Sequence, residues 1–317
     1  MSALTSVVFD GFDIRTWYPS PYPLAAPAKT LWVCAGCLKY TRSSGADIVH
    51  RKTCKATHPP GRRVYQRGAH TVWEVDGARA PLYAQHLSLL CKLFIDNKTV
   101  IFDVEPFLYY VLTDAESTFD HVLGYFSKEK TSYDNYNLAC IVVLPPYQRR
   151  GYGMLLIELS YVLSRRDQVA GTPERPLSAL GLKGYIAYWT AAVLRMLQRA
   201  FDEDEYGPTR SVLSGKEVQD TANLVPKRRK VHKGWQGEVQ AEPATASPVK
   251  AASLEMCTTL DNVARAAGLR VADTTLALAH AGLLANDSTI FISRDAVKTA
   301  AARVALKPQI IDEVYLL

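Results

Sequence analysis

The stretch that most constrains this chain is residues 137–157, Asn-Leu-Ala-Cys-Ile-Val-Val-Leu-Pro-Pro-Tyr-Gln-Arg-Arg-Gly-Tyr-Gly-Met-Leu-Leu-Ile. Residues 138–144 are apolar and rich in β-branched side chains, which predicts a short buried strand. Pro145 and Pro146 end it, because proline cannot continue a sheet ladder. A turn carrying Gly151 and Gly153 follows and runs into Met154, Leu155, Leu156 and Ile157, a helix-forming segment. Strand, glycine-bearing turn and helix in that order aim unbonded amide N–H groups at one point. That point suits a phosphate, since the orphan donors and the positive end of the helix dipole both favour an anion. Glycine at 151 and 153 also keeps a Cβ out of a ligand's way.

Two common phosphate loops are excluded. A Walker loop needs Gly-Lys-Ser/Thr at its end, and a dinucleotide fingerprint needs Gly-x-Gly-x-x-Gly; neither is present. On these residues alone, an ordinary tight turn before a helix is the plainer alternative.

A second pattern points to a metal. Cys34-Ala-Gly-Cys37 is followed by His50 after twelve residues and by Cys54 after three more. Tetrahedral zinc takes four such sulfur and nitrogen ligands. A pair on a β-knuckle and a pair one helical turn apart can reach a single ion. Trp32, Leu38 and Tyr40 supply a small apolar face. The helix around Ile48 to Cys54 carries only Arg51 and Lys52 and has no tandem partner, so the expected role is a structural clip rather than a DNA reader.

The chain has 317 residues, is 48% hydrophobic and carries a net charge of +6. That is enough to bury a full core with small satellite domains. No apolar run approaches the ~20 residues of a membrane span, and the start does not read as a signal peptide, so no membrane partner is expected. Six cysteines, three of them clustered early, fit a reducing compartment better than a disulfide framework. The charge permits nucleic-acid contact without requiring it.

Read in order, residues 1–27 form a proline-rich extended arm with one short strand, and residues 28–60 the Cys-Cys-His-Cys finger. Residues 61–201 read as an α+β domain around one antiparallel central sheet. Its expected strands lie at 64–65, 72–76, 100–103, 107–112 and 122–127, with a hairpin-type turn at Asp76-Gly77 and helices over 83–94, 153–165 and 185–201. Residues 202–253 lose hydrophobic periodicity and read as a disordered insertion. It opens on an acid run over 202–205, which could attract a lysine-rich tail. A basic cluster over 226–231 looks like a nuclear import signal or a solvated charge run. Residues 254–317 spell helix, turn, helix and a strand at 289–293, a winged-helix-like module. Its second helix carries no Lys or Arg, so direct sequence-specific DNA binding is not expected.

Taken together, Ala139-Cys140-Ile141, Gln148-Arg149-Arg150-Gly151-Tyr152-Gly153 and Pro173-Glu174-Arg175-Pro176-Leu177-Ser178 resemble the MYST family of histone acetyltransferases. The likeness covers residues 12–201 nearly without gaps and residues 254–317 more faintly, and is closest to the MOZ-type branch. It implies an acyl-CoA N-acyltransferase-like central sheet, acetyl-CoA as cosubstrate and structural zinc on Cys34, Cys37, His50 and Cys54. It further implies histone tails or nucleosomes as substrate, subunits of a chromatin-modifying complex as partners, and the nucleus as location. By the same resemblance Glu174 is the general base, and Cys140 is the active-site cysteine, either accepting acetyl covalently or lining the pocket, with direct attack in a ternary complex favoured. Backbone groups of Ile141, Val142 and Val143 would hold the pantetheine and acetyl end. Gln148, Arg149, Arg150, Gly151, Tyr152, Gly153 and Met154 would hold the pyrophosphate, and Ser178 would add a further contact. Lys98 matches the lysine that family members acetylate on themselves; by itself it reads as an exposed hairpin lysine.

The implied chemistry is physically consistent. A lysine amine has an ordinary pKa of about 10.4 and attacks only when neutral. A carboxylate whose pKa is raised by burial can take its proton. A glutamate between two prolines stands on stiff, non-helical backbone, which suits a positioned base as well as a plain surface loop. Some residues depart from the family pattern: Met154 stands where a polar or cationic residue is usual, Ala179 where an aspartate is, and Gly184 and Ala187 where serines help bind cofactor. They leave two other readings, a zinc-finger and winged-helix DNA-binding module with a vestigial acetyltransferase fold, and a low-activity scaffold.

Overall fold

A computed structural model describes residues 4–115, 119–203, 207–215, 255–284 and 289–317. The basic cluster at 226–231 and most of the expected insertion lie outside the described residues. The chain divides into two compact units, Met1–Tyr188 with Pro308–Leu317, and Trp189–Lys307.

The first unit opens with β1 (Ser6–Phe9) and β2 (Phe12–Arg15), followed by β3 (Thr30–Val33) and β4 (Tyr40–Thr41). They form one sheet in the order β2-β1-β3-β4, with β1 and β3 parallel. The N-terminal arm is therefore not a loose extension with one strand; it shares a sheet with the finger. The alternation of buried Val7 and Phe9 with less buried Ser6 and Val8 is the period-two pattern of a half-covered strand. Helix α1 (Ser44–Thr53) starts at Ser43, whose side chain accepts from the Ala46 amide.

The central sheet has five strands in the order β5 (Arg62–Arg67), β6 (His70–Asp76), β7 (Phe107–Ala115), β8 (Asp120–Glu129) and β9 (Cys140–Val143), all antiparallel. The middle strands are buried continuously rather than alternately, from Tyr109 to Thr113 and from Val122 to Ser127. Both faces are therefore covered, which explains their unbroken apolar runs. Gly124 lets β8 and β9 approach: a Cβ there would lie 2.4 Å from the Val142 carbonyl oxygen. Helix α2 (Pro81–Lys92) begins on proline at its first turn, and α3 (Tyr152–Arg166) follows the glycine-bearing loop.

Several expectations are corrected. The hairpin turn is Gly68-Ala69, between β5 and β6, not Asp76-Gly77. Gly77 is required instead because a Cβ would fall 1.8 Å from the Val104 carbonyl oxygen. Residues 100–103 are irregular rather than a strand. The strand expected at 138–144 is confined to Cys140–Val143. Helix α4 (Ala179–Asp202) starts six residues before the expected 185, because Ser178 caps it by accepting from the Gly181 amide at 3.0 Å.

The last ten residues return to the first unit instead of staying with the expected module 254–317. The amides of Ile310 and Ile311 donate to Oε2 of the buried Glu158 on α3 at 2.6 and 2.9 Å, and the Leu317 amide donates to the Val64 carbonyl at 3.0 Å.

The second unit holds the rest of α4 together with α5 (Pro208–Leu213), β10 (Glu255–Thr259), α6 (Leu260–Ala267), α7 (Val271–Ala281), β11 (Thr289–Ser293) and α8 (Arg294–Arg303). Strands β10 and β11 pair antiparallel. Gly268 ends α6 in the left-handed conformation, φ 66°, making the turn between the two helices. Part of the acid run is engaged internally. Asp202 pairs with Arg294, and Glu203 accepts from the amides of Thr209 and Arg210. Both carboxylates thus have a partner within this unit, while Asp202 remains largely exposed.

Candidate active site

Strand β9 is the last strand of the central sheet and pairs on one side with β8, Ser127 facing Cys140 and Gly124 facing Val143. Beyond it the chain makes one 3-10 turn, Pro145–Tyr147, and then the loop to α3. Two residues of that loop are left-handed, Arg149 (φ 63°) and Gly151 (φ 89°). Gly151 is the residue capping α3, and no side chain caps the helix start. The first-turn amides of α3 thus face outward with no side-chain acceptor, and the helix dipole adds positive potential there. Gln148 braces the loop, its Nε2 donating to the Val143 carbonyl at 2.9 Å. That bond engages the carbonyl of Val143, which the sequence assigned to pantetheine binding. Gly153 has room for a Cβ, whose nearest neighbour would be Val143 at 4.0 Å.

The segment carrying Glu174 lies along the entrance to β9. Leu138 and Pro173 form a parallel bridge, the Asn137 amide donates to the Thr172 carbonyl at 3.0 Å, and the Glu174 amide donates to the Leu138 carbonyl at 2.8 Å. The buried Asn137 reaches Ser160 on α3 at 3.2 Å, and a Cβ on Gly171 would strike the Asn137 side chain at 2.7 Å. Glycine at 171 is what lets the segment close onto the sheet. The structural role of Asn137 and Gly171 is not legible in the sequence, because it depends on contact across the fold.

Three functional groups meet at this edge. Burial pushes the Glu174 carboxyl above the ordinary carboxylate range, the neighbouring Glu129 adds to the rise, and Lys98 opposes it. Glu174 is also exposed, so a substrate amine can reach it from solvent. Burial likewise raises the Cys140 thiol, Glu174 raises it further, and Lys98 and Ser127 counteract. Lys98 is 6% exposed, not the surface lysine of a hairpin, and is close enough to bias Cys91, Cys140 and Glu174. A raised thiol stays protonated at neutral pH and is a weak nucleophile. A carboxyl raised in this way holds a proton more readily than an ordinary one, which suits a general base.

Ser178 uses its hydroxyl oxygen to cap α4, leaving its proton available to a ligand. Gly184 on α4 is 3.5 Å from the Ile157 side chain by its ideal Cβ, ordinary contact, so packing does not force a glycine there.

In the finger, the Sγ or Nε2 donors of Cys34, Cys37, His50 and Cys54 all lie within 4.8 Å of one another. Cys34 and Cys54 are 3.8 Å apart, and Cys37 and His50 are 3.1 Å apart. Ligands on bonds of about 2.0–2.3 Å around a tetrahedral ion have separations of this order. Leu38 closes the knuckle at φ 62° with its amide on the Cys34 carbonyl, and Gly36 avoids a clash 2.3 Å from the Ala56 carbonyl oxygen.

A family model described as the MOZ/SAS family matches residues 58–224, more than half of the chain and all of the sheet, loop and Glu174 segment above. The chain belongs to the MOZ/SAS family. A second model, the MYST family zinc finger domain, matches residues 2–54 of this MOZ/SAS chain and includes all four donors, whose set fits a structural zinc. Histone acetyltransferase MOF of Drosophila melanogaster is 47% identical over 191 residues, 60% of this chain and 23% of that protein. Histone acetyltransferase KAT6B of Mus musculus is 47% identical over 194 residues, 61% of this chain and 10% of the relative. The Tip60 homolog of Caenorhabditis elegans, also named a histone acetyltransferase, is 47% identical over 185 residues, 58% and 40% of the two chains. This MOZ/SAS chain thus spans between a tenth and two fifths of the length of these relatives.

Proposed function

We propose that this chain is a histone lysine acetyltransferase that moves acetyl from acetyl-CoA to the ε-amine of a lysine in a histone tail. The observation that carries the reading is one edge strand, β9, with the Glu174 segment bonded beside its start and the uncapped start of α3 following the loop beyond its end. Membership of the family, with relatives named histone acetyltransferases, supports it.

In this reading the thioester supplies the activated acetyl. The amides at the start of α3, with Gln148, Arg149, Arg150, Gly151, Tyr152, Gly153 and Met154, hold the diphosphate. The edge of β9 over Ile141, Val142 and Val143 aligns the pantetheine, and Ser178 donates a further hydrogen bond. Glu174 accepts the proton of the incoming ammonium, leaving a neutral amine to attack the acetyl carbonyl; the C–S bond breaks as the C–N bond is made, and CoA leaves as its thiol with the second proton shed by the amine nitrogen. The raised thiol pKa of Cys140 favours direct attack over a covalent acetyl-cysteine, and Cys140 then serves as pocket wall. Lys98, buried beside these groups, is the proposed site of autoacetylation.

The central sheet is read as an acyl-CoA N-acyltransferase-like core and the helices α6 and α7 with β10 and β11 as a winged-helix-like module. Helix α7 has no Lys or Arg, which argues against the alternative of a DNA-reading module. Chromatin-complex subunits as partners and a nuclear location belong to the same proposal. Labelled acetyl-CoA incubated with core histones tests it: label on a histone lysine is expected, and none under conditions where the coenzyme binds would overturn the enzymatic reading.

A further inference from the structure

The two-residue turn between β1 and β2 is Asp10-Gly11, both left-handed, at φ 51° and 79°. A turn of this kind accepts Asn or Gly at its first position as readily as Asp. The turn alone therefore does not require a carboxylate. In the fold, the Asp10 carboxylate reaches far beyond its own hairpin. It accepts from the Tyr147 hydroxyl at 2.5 Å and from His121 Nδ1 at 2.8 and 2.9 Å. Phe12, on the other side of Gly11, meets the Tyr147 ring edge-on at 5.8 Å. The hairpin thus grips Tyr147 at both its hydroxyl and its ring.

Tyr147 is the last residue of the 3-10 turn, and Gln148 directly after it opens the loop to α3. The backbone there is already tied down on one side, with the Tyr147 amide on the Leu144 carbonyl at 2.9 Å and the Gln148 side chain on the Val143 carbonyl. Downstream, Arg149 and Gly151 are in the left-handed region, where loop geometry is sensitive to its anchors. Tyr147 is nearly buried, and burial and its bond to Asp10 hold its phenol above the ordinary value, so the hydroxyl remains a donor.

We propose that Asp10 is a positioning residue for coenzyme binding: through Tyr147 it sets the register of the loop whose amides hold the diphosphate. The inference rests on the acetyl-CoA reading above and adds to it that coenzyme affinity is tuned from the N-terminal hairpin. Asp10 touches no substrate; it acts through the phenol.

The test measures CoA binding by calorimetry and acetyl transfer to a histone-tail peptide, for the whole chain and for Asp10→Asn, Tyr147→Phe and the double variant. Asp10→Asn keeps a turn-forming residue but exchanges the carboxylate for a neutral, weaker acceptor toward both Tyr147 and His121, and Tyr147→Phe keeps the ring and removes only the hydroxyl. The expected result is a rise of roughly five- to tenfold in the CoA Kd and the acetyl-CoA KM, with kcat and peptide KM within about twofold. For CoA affinity the double variant should be no worse than Tyr147→Phe, since Asp10 acts on the loop through the phenol and its bond to His121 lies apart from that route. Unchanged coenzyme affinity in both single variants overturns the proposal, as does a parallel fall in kcat and both affinities with melting. Should a single variant fail to fold, Asp10→Gly, which suits the turn conformation, takes its place with the same readings. If the unsubstituted chain does not bind CoA, the acetyl-CoA reading itself falls.

Discussion

The amide of Glu174 donates to the carbonyl of Leu138 at 2.8 Å, two residues before Cys140 opens β9. This bond, with the Leu138–Pro173 bridge, fixes the Glu174 backbone beside the start of β9, the strand whose other end leads into the loop to α3. Nothing in the covalent chain requires that juxtaposition; residues 138 and 174 are joined by a strand, a loop and a fifteen-residue helix.

Glu174→Gln is expected to lower kcat by about 10²–10⁴ while leaving CoA binding intact. Burial and Glu129 raise the carboxyl, so the acidic limb of the kcat–pH profile should lie above the ordinary carboxylate value. The sign for stability runs the same way. A pKa raised in the folded state favours folding at low pH, and that contribution is lost as pH rises through the folded value. The Gln variant should therefore melt no lower than the parent at neutral pH. Full activity in the variant would remove Glu174 from the base role.

Cys140→Ser should retain activity within about tenfold, because burial holds the thiol protonated and direct attack does not need it. Intact-protein mass spectrometry after rapid mixing with acetyl-CoA should show no acetyl ester on a thiol. A stoichiometric acetyl-cysteine formed at the turnover rate would reverse this expectation.

Gly151→Ala should destabilise the chain by about 1–2 kcal/mol, since φ is 89° and no atom lies within 4 Å of the added Cβ. The penalty is conformational rather than steric. If the loop relaxes to avoid it, the acetyl-CoA KM should rise as the amides turn away. Thermal melting and steady-state kinetics separate the two effects.

Removing zinc by chelation, or replacing Cys54 with Ala, should unfold the small sheet of β1 to β4 with α1 and lower Tm by about 10 °C or more. The N-terminal sheet contains β1 and β2 as well as the finger strands, so the loss should spread to the hairpin that carries Asp10. Circular dichroism and zinc-release assays follow the two together; an unchanged melting curve after complete zinc release would contradict a structural role.

Local chemistry carried a good deal of this protein in its sequence. The Cys-Cys-His-Cys spacing placed four donors around one point, because a knuckle and a helical turn have fixed dimensions. The order strand, proline, glycine and helix gave the loop its left-handed Gly151 and its uncapped helix start, since short-range sterics decide those. Lys98 by itself read as an exposed hairpin lysine, yet it is buried in an irregular segment and close enough to bias Cys140. Gly77 read as a hairpin turn, yet it is demanded by the Val104 carbonyl. What only the tertiary structure decided was which distant groups meet: Glu174 with Leu138, Asp10 with Tyr147 and His121, Glu158 with the returning C-terminal residues. Hydrophobic period and turn chemistry act over a few residues, whereas these contacts form when buried surfaces close and polar groups must find partners across the core.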